Sequence, residues 1–197
     1  MKPLILDNIL PESYVNELEH TLTMVEFDWH LRPSISYGGG PVVDEFEKND
    51  PNIRESRGFS HRFFYDKEKL SQYCDFVRPI MYFIESKTNI KVSTIERMRA
   101  VYAPSEYQNR GFYNVPHIDM GVPHLTLVYY VNDCDSGTIL FKEKYNPDEP
   151  SVDTGAKTID QYVEAKRGRI LIFDGLTYHT GKIPGEIDKI LININFT

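Results

Sequence analysis

Hydrophobic residues follow two different patterns along this chain. In the first half they recur at helical spacing; in the second they alternate with polar residues. After Leu10-Pro11-Glu12-Ser13, the apolar positions Tyr14, Val15, Leu18, Leu22 and Val25 fall on one face of a helix, which predicts an amphipathic helix over 12–25. Between Arg32 and Ser60 the periodicity lapses. Gly38-Gly39-Gly40-Pro41, the polar run from Glu45 to Asp50, Pro51 and Gly58 all break regular structure. A connection this long is expected to be a lid or binding loop over 32–60. Helical spacing returns over 67–88, where Leu70, Tyr73, Cys74, Val77, Ile80, Met81 and Ile84 share one side.

After Lys91 the period changes. Ile95–Tyr102, Leu125–Asn132, Thr138–Phe141, Arg169–Asp174 and Lys189–Phe196 read as strands, separated by Pro, Gly and Asp turns. Strands at this density behind a helical first half predict a mostly β (α+β) fold, a sandwich or barrel with helices on one outer face. At 197 residues the expectation is one domain with a sizeable core: residues 1–90 as helical support and lid, 91–197 as the β core.

Composition narrows the partners. A net charge of −7 argues against a broad nucleic-acid or anionic-membrane surface, since both need a basic one. No apolar run is long enough to cross a bilayer, and the stretch Met1–Asp7 is too short for a signal peptide. Cys74 and Cys134 are too few for a disulfide framework or a CxxC zinc site and read as free thiols in a reducing cytosol, so a cytoplasmic location is expected. The sequence leaves oligomeric state open.

The chemistry-bearing residues come in a split set: His117-Ile118-Asp119, then His179, then Lys189. Residues two apart on a strand project the same way, so His117 and Asp119 can reach one metal from a short extended segment. Two imidazoles and a carboxylate are the ligands of the facial triad that holds Fe(II) with open positions. Each piece also has an ordinary reading: a surface histidine beside a turn aspartate, and a hairpin histidine at 179. On the last strand, Ile190, Ile192, Ile194 and Phe196 point one way, and Lys189, Leu191, Asn193 and Asn195 the other. A polar second face is either solvated or covers something polar; beside a triad, Lys189 becomes a partner for a carboxylate. Tyr130 shares a face with Thr126 and Val128 and is equally a core tyrosine or a donor to that carboxylate. Tyr102 is a candidate for the opposite end of the same ligand. Arg97 and Arg99 share a face and either pair with local acids or grip an anionic substrate. His124 is a candidate rim residue, and His30 and His61 have no assigned role. A zinc hydrolase using the same triad, or a non-catalytic jelly-roll binding module, are the rival readings.

As an ordered set, Pro116-His117-Ile118-Asp119, Leu125–Asn132, Ser136–Phe141, Gly168–Phe173 with Tyr178-His179, and Asp188–Asn193 resembles the 2-oxoglutarate- and Fe(II)-dependent dioxygenases. The likeness is to the prolyl-4-hydroxylase-like branch, including small versions carried by phages, and it covers residues 91–197. The resemblance implies a double-stranded β-helix (jelly-roll) core. It implies Fe(II) on His117, Asp119 and His179, with Lys189 and Tyr130 on the far carboxylate of 2-oxoglutarate and Tyr102 as a further contact. It also implies dioxygen and, in some members, ascorbate as co-reactants, and hydroxylation of a peptidyl (prolyl-type) or small-molecule substrate in the cytoplasm, that of a host if the chain is phage-encoded.

Overall fold

The computed structural model describes residues 1–36, 41–150 and 153–197. In chain order the elements are β1 (Leu4–Leu6), α1 (Glu12–Thr23), β2 (His30–Arg32), α2 (Pro41–Asn49), β3 (Gly58–Tyr65), β4 (Glu68–Lys69), α3 (Cys74–Val77), α4 (Pro79–Lys87), β5 (Ile95–Ala103), β6 (Leu125–Tyr130), β7 (Gly137–Lys144), β8 (Ile159–Glu164), β9 (Ile170–Asp174), β10 (Thr177–Gly181) and β11 (Lys189–Phe196). A short 3₁₀ turn spans Tyr107–Asn109.

Two antiparallel sheets form the core. The larger runs β1-β9-β6-β11-β5-β3-β2, with β4 on β3, and the smaller runs β10-β7-β8. The segment before His117 extends the smaller sheet through bridges Tyr113↔Lys182 and His117↔His179. Alternation along each central strand divides its side chains between two environments. Met98, Ala100, Leu127, Tyr129, Ile192 and Ile194 face the helices, meeting Val15, Leu18 and Leu22 of α1 and Ile80, Met81 and Ile84 of α4. Val128, Tyr130, Leu171 and Phe173 face inward and meet Leu140 and Val163 of the smaller sheet. Burial on both faces explains why β6 and β9 read as continuous apolar runs. Each fully buried Leu or Ile contributes roughly 1.5–3 kcal/mol to this sandwich. The mostly β fold, with N-terminal helices on its outer sheet, is therefore present as the sequence predicts.

Two expectations need correction. The stretch 32–60 is not an unbroken loop. Pro41 opens α2 at a position where its fixed φ suits a helix, and Val43 and Phe46, three apart, are buried with Tyr113, Val115 and Phe141. The polar run from Glu45 lies largely on the other side of that helix. Ser60 belongs to β3, and Gly58 begins it because a Cβ there would sit 2.7 Å from the Tyr102 carbonyl. Residues 37–40 of the expected lid lie outside the described residues. The second correction concerns 67–88. Asp66 and Lys67 take positive φ values (50° and 64°) in the turn between β3 and β4, and Pro79 splits the remainder into α3 and α4.

Candidate metal centre and its pocket

His117 and His179 are cross-strand partners. Each donates its backbone N–H to the other's carbonyl, both at 2.9 Å. Directly opposed residues project from the same face, which brings the ring centroids to 4.7 Å. Nδ1 of His117 lies 3.0 Å from the Val115 carbonyl, and Nδ1 of His179 lies 3.1 Å from that of Thr177. A carbonyl only accepts, so the proton belongs on Nδ1 and the Nε2 lone pairs point into the site. Burial, then the neighbouring His179, pulls His117 down to about 4. Burial also lowers His179. Both rings are neutral near pH 7, as metal ligation requires.

Asp119 completes the group. Its ligand atom and those of the two histidines lie within 4.8 Å of one another, close enough to close on one ion by side-chain rotation. Its side chain is 1% exposed. Burial alone would favour the protonated acid, but Arg97, His179 and Arg99 hold the carboxyl well below the usual range. Oδ1 accepts from Arg97 at 2.5 Å and Arg99 at 3.4 Å. Oδ2 accepts from Asn193 at 3.0 Å, Asn195 at 2.9 Å and the Thr126 hydroxyl at 3.4 Å. A buried carboxylate with this many donors stays ionised and oriented.

The three residues border a cavity of about 70 Å³ whose far wall carries Lys189. β11 sets the layout. Lys189, Leu191 and Asn193 line the cavity in succession, so the ammonium and the Asp119 cradle are separated by four residues, roughly 13 Å of strand. Lys189 is 3% exposed. Its Nζ donates to the Lys182 carbonyl (2.8 Å), Ser136 Oγ (2.9 Å) and the Gly137 carbonyl (3.3 Å). It forms no ion pair among the described residues. Burial pushes it down to about 8, opposed by Cys134 and Asp135. A buried ammonium facing a cavity without a counter-charge is half of a carboxylate site.

No family model and no curated protein matches the sequence. Solved structures do match, at low identity. A non-heme α-ketoglutarate-dependent epimerase from nogalamycin biosynthesis, SnoN, is 12% identical with a TM-score of 0.61, covering 99% of this chain and 76% of its own. A prolyl hydroxylase from Trichoplax adhaerens, solved with a hypoxia-inducible-factor peptide, is 14% identical with a TM-score of 0.58, covering 98% and 83%. A 2OG-Fe(II) oxygenase family protein from Burkholderia pseudomallei is 8% identical with a TM-score of 0.63, covering 99% and 84%. The fold is that of the 2-oxoglutarate/Fe(II) oxygenases.

Within this oxygenase fold the remaining candidates divide. Tyr130 stands just behind the pocket wall. It is fully buried, and its hydroxyl donates to Thr138 Oγ1 at 2.7 Å; Thr138 is the residue that lines the cavity. Tyr102 is not brought into the group. Val101 and Ala103 line the cavity, so the residue between them faces the opposite side of β5. There its ring lies against Trp29 and Phe59, and its hydroxyl donates to Asp188, which pushes it up to about 12.

Arg97 and Arg99 do pair with an acid, but the acid is Asp119 itself. Asn193 and Asn195 give the polar face of β11 its purpose as donors to that carboxylate. His124 lies outside the metal group; its Nε2 is 3.2 Å from Thr126 Oγ1, and Thr126 stands between it and Asp119. Thr138 and Asn114, which also line the cavity, carried no signal in the sequence, because a threonine or asparagine beside a strand is ordinary.

Proposed function

We propose that this chain, acting over residues 1–197 as one domain, is a 2-oxoglutarate- and Fe(II)-dependent oxygenase that hydroxylates a peptidyl or small-molecule substrate. The observation that carries this reading is one cavity bordered at one end by the His117-Asp119-His179 cluster and at the other by the buried ammonium of Lys189. His117, Asp119 and His179 would hold the iron, and Lys189, backed by Thr138 and Tyr130, the far carboxylate of 2-oxoglutarate. When bound, iron and 2-oxoglutarate supply dioxygen activation coupled to loss of carbon dioxide from the co-substrate.

The chain's own residues do the rest. Neutral imidazoles present lone pairs without first losing a proton. Arg97, Asn193 and Asn195 fix the carboxylate's orientation, the kind of outer contact whose loss weakens metal binding. Val101, Ala103, Val128 and Leu191 make the cavity wall apolar and exclude water from around the reacting groups. Lys189 supplies a point charge that orients the diacid.

The Trichoplax neighbour was solved with a peptide, and the nogalamycin epimerase has a small-molecule product pathway in its name. Both substrate sizes therefore occur on this fold. A zinc hydrolase fits less well, because Asp119 is the only acid among the described residues lining the cavity and Lys189 would have no task.

The test is 2-oxoglutarate consumption and succinate formation with Fe(II) and dioxygen. The wild-type chain is expected to turn over slowly even without its substrate. His117→Ala should lose more than the roughly 10–100-fold that removing an outer partner costs. Hydrolytic activity with Zn(II) and none with Fe(II) would reverse the assignment.

A further inference from the structure

A second cavity, of about 290 Å³, shares a wall with the metal-site pocket. Ile35, Arg99 and Val101 line both. Its remaining walls carry Arg32, at the end of β2, and Arg62 on β3. Arg62 and Arg99 are directly opposed in the β3–β5 ladder, and like charges in that position repel. Arg97 lies two residues along the same face of β5. Four guanidinium groups thus gather in a chain whose net charge is −7.

Among the described residues, little offsets them. Among the described residues, Asp119 is the only carboxylate in an ion pair with any of the four, and it is shared between Arg97 and Arg99. Arg32 donates to the neutral Ser60 hydroxyl at 2.7 Å, and Arg62 lies 5.3 Å over the Tyr65 ring. Glu55 is engaged elsewhere, accepting from the Ser34 hydroxyl (2.6 Å) and the backbone N–H groups of Ser36 (2.8 Å) and Val115 (3.1 Å). Arg99 Nε and Ser36 Oγ are buried with no hydrogen-bond partner among the described residues. An orphaned guanidinium N–H, an orphaned hydroxyl and uncompensated arginines around one cavity together describe an oxyanion seat.

We propose that this cavity receives an anionic group of the substrate, a carboxylate or phosphate held by Arg32, Arg62 and Arg99. The substrate is then a small acid rather than a neutral prolyl peptide. The word substrate rests on the oxygenase reading; the anion seat rests on the arginines alone. Since Arg99 touches both the seat and Asp119, an anion held there is placed within one side chain of the metal centre.

The test uses the purified full chain at low ionic strength, titrated separately with inorganic phosphate and with acetate, followed by calorimetry. Wild type is expected to bind at least one, and the preferred anion separates a phosphorylated substrate from a carboxylic acid. Arg62→Gln and Arg32→Gln should each weaken binding by about tenfold or more, the size of a lost charge-assisted hydrogen bond. Arg62→Lys, which keeps charge but not the fork, should fall between, and this series keeps the result readable if one Gln variant folds poorly. Arg110→Gln, which removes an exposed arginine paired with Glu186 and away from both cavities, should bind the probe as wild type does. No binding of either anion, affinity indifferent to all three variants at Arg32 and Arg62, or an equal loss in Arg110→Gln would overturn the proposal. Titrating 2-oxoglutarate with Mn(II) into wild type and Lys189→Met separates the two readings. Phosphate or acetate binding that needs the arginines, with 2-oxoglutarate affinity indifferent to Lys189→Met, keeps the seat and removes the oxygenase reading; 2-oxoglutarate binding lost in Lys189→Met, with neither probe bound, does the reverse.

Discussion

At the scale of single residues, the pocket is defined by charges held where water cannot reach them. Lys189 is the clearest case. Its pKa drops from 10.5 to about 8 on folding, so between those values the unfolded chain carries a proton that the folded chain lacks. Stability of the ligand-free protein should therefore rise with pH across that window. Melting curves of wild type and Lys189→Met from pH 7.5 to 10.5 should converge as pH increases; parallel curves would show that the ammonium is not strained. A bound diacid supplies the counter-charge and should flatten the wild-type slope. The identity of this residue was readable in the sequence from the polar face of the last strand. Tyr102 is a candidate both from its place on its strand and from the family likeness, and strand alternation turns it away. Nothing local distinguishes Tyr102 from its neighbours except which face of β5 is inward, and that depends on the register with β3 and β11.

At the scale of elements, alternation was easy to read where one face is polar, as in β5 and β11. It also located β6 and β9 through their unbroken apolar runs. It failed for α2 and β3, which lie in a segment dominated by Gly, Pro and charged residues. There the decisive signal was one pair, Val43 and Phe46, whose burial comes from a partner segment far along the chain. That partner includes Tyr113 and Val115, the approach to His117, so α2 braces the metal-binding strand. Phe46→Ala should cost about 3–5 kcal/mol in unfolding free energy and should also weaken metal binding. Calorimetry and a metal titration on the same variant check both. A destabilised chain with unchanged metal affinity would show that α2 supports the fold without supporting the site.

At the scale of the whole molecule, the helices cover one face of the larger sheet so that the other face, opposite the smaller sheet, is left for chemistry. The acidic overall charge argues against a broad polyanion surface on the exterior. It could not reveal that Arg32, Arg62 and Arg99, far apart in the sequence, meet around one cavity. If metal and 2-oxoglutarate bind the folded chain alone, ligand at about 100 times its Kd adds about 2.7 kcal/mol of stability. For a chain of this length that corresponds to about 5–10 °C in Tm. Scanning calorimetry with and without Mn(II) and 2-oxoglutarate should show a shift of that size in wild type and little in His179→Ala. Equal shifts in both would place the ligands elsewhere.

The most direct measurement is a crystal structure of the chain soaked anaerobically with Fe(II) and 2-oxoglutarate. The expected result is a single iron bound by Nε2 of His117, Nε2 of His179 and the Asp119 carboxylate, with the far carboxylate of 2-oxoglutarate on Lys189 Nζ. Iron bound away from these three side chains, or a diacid that ignores Lys189, would contradict the account.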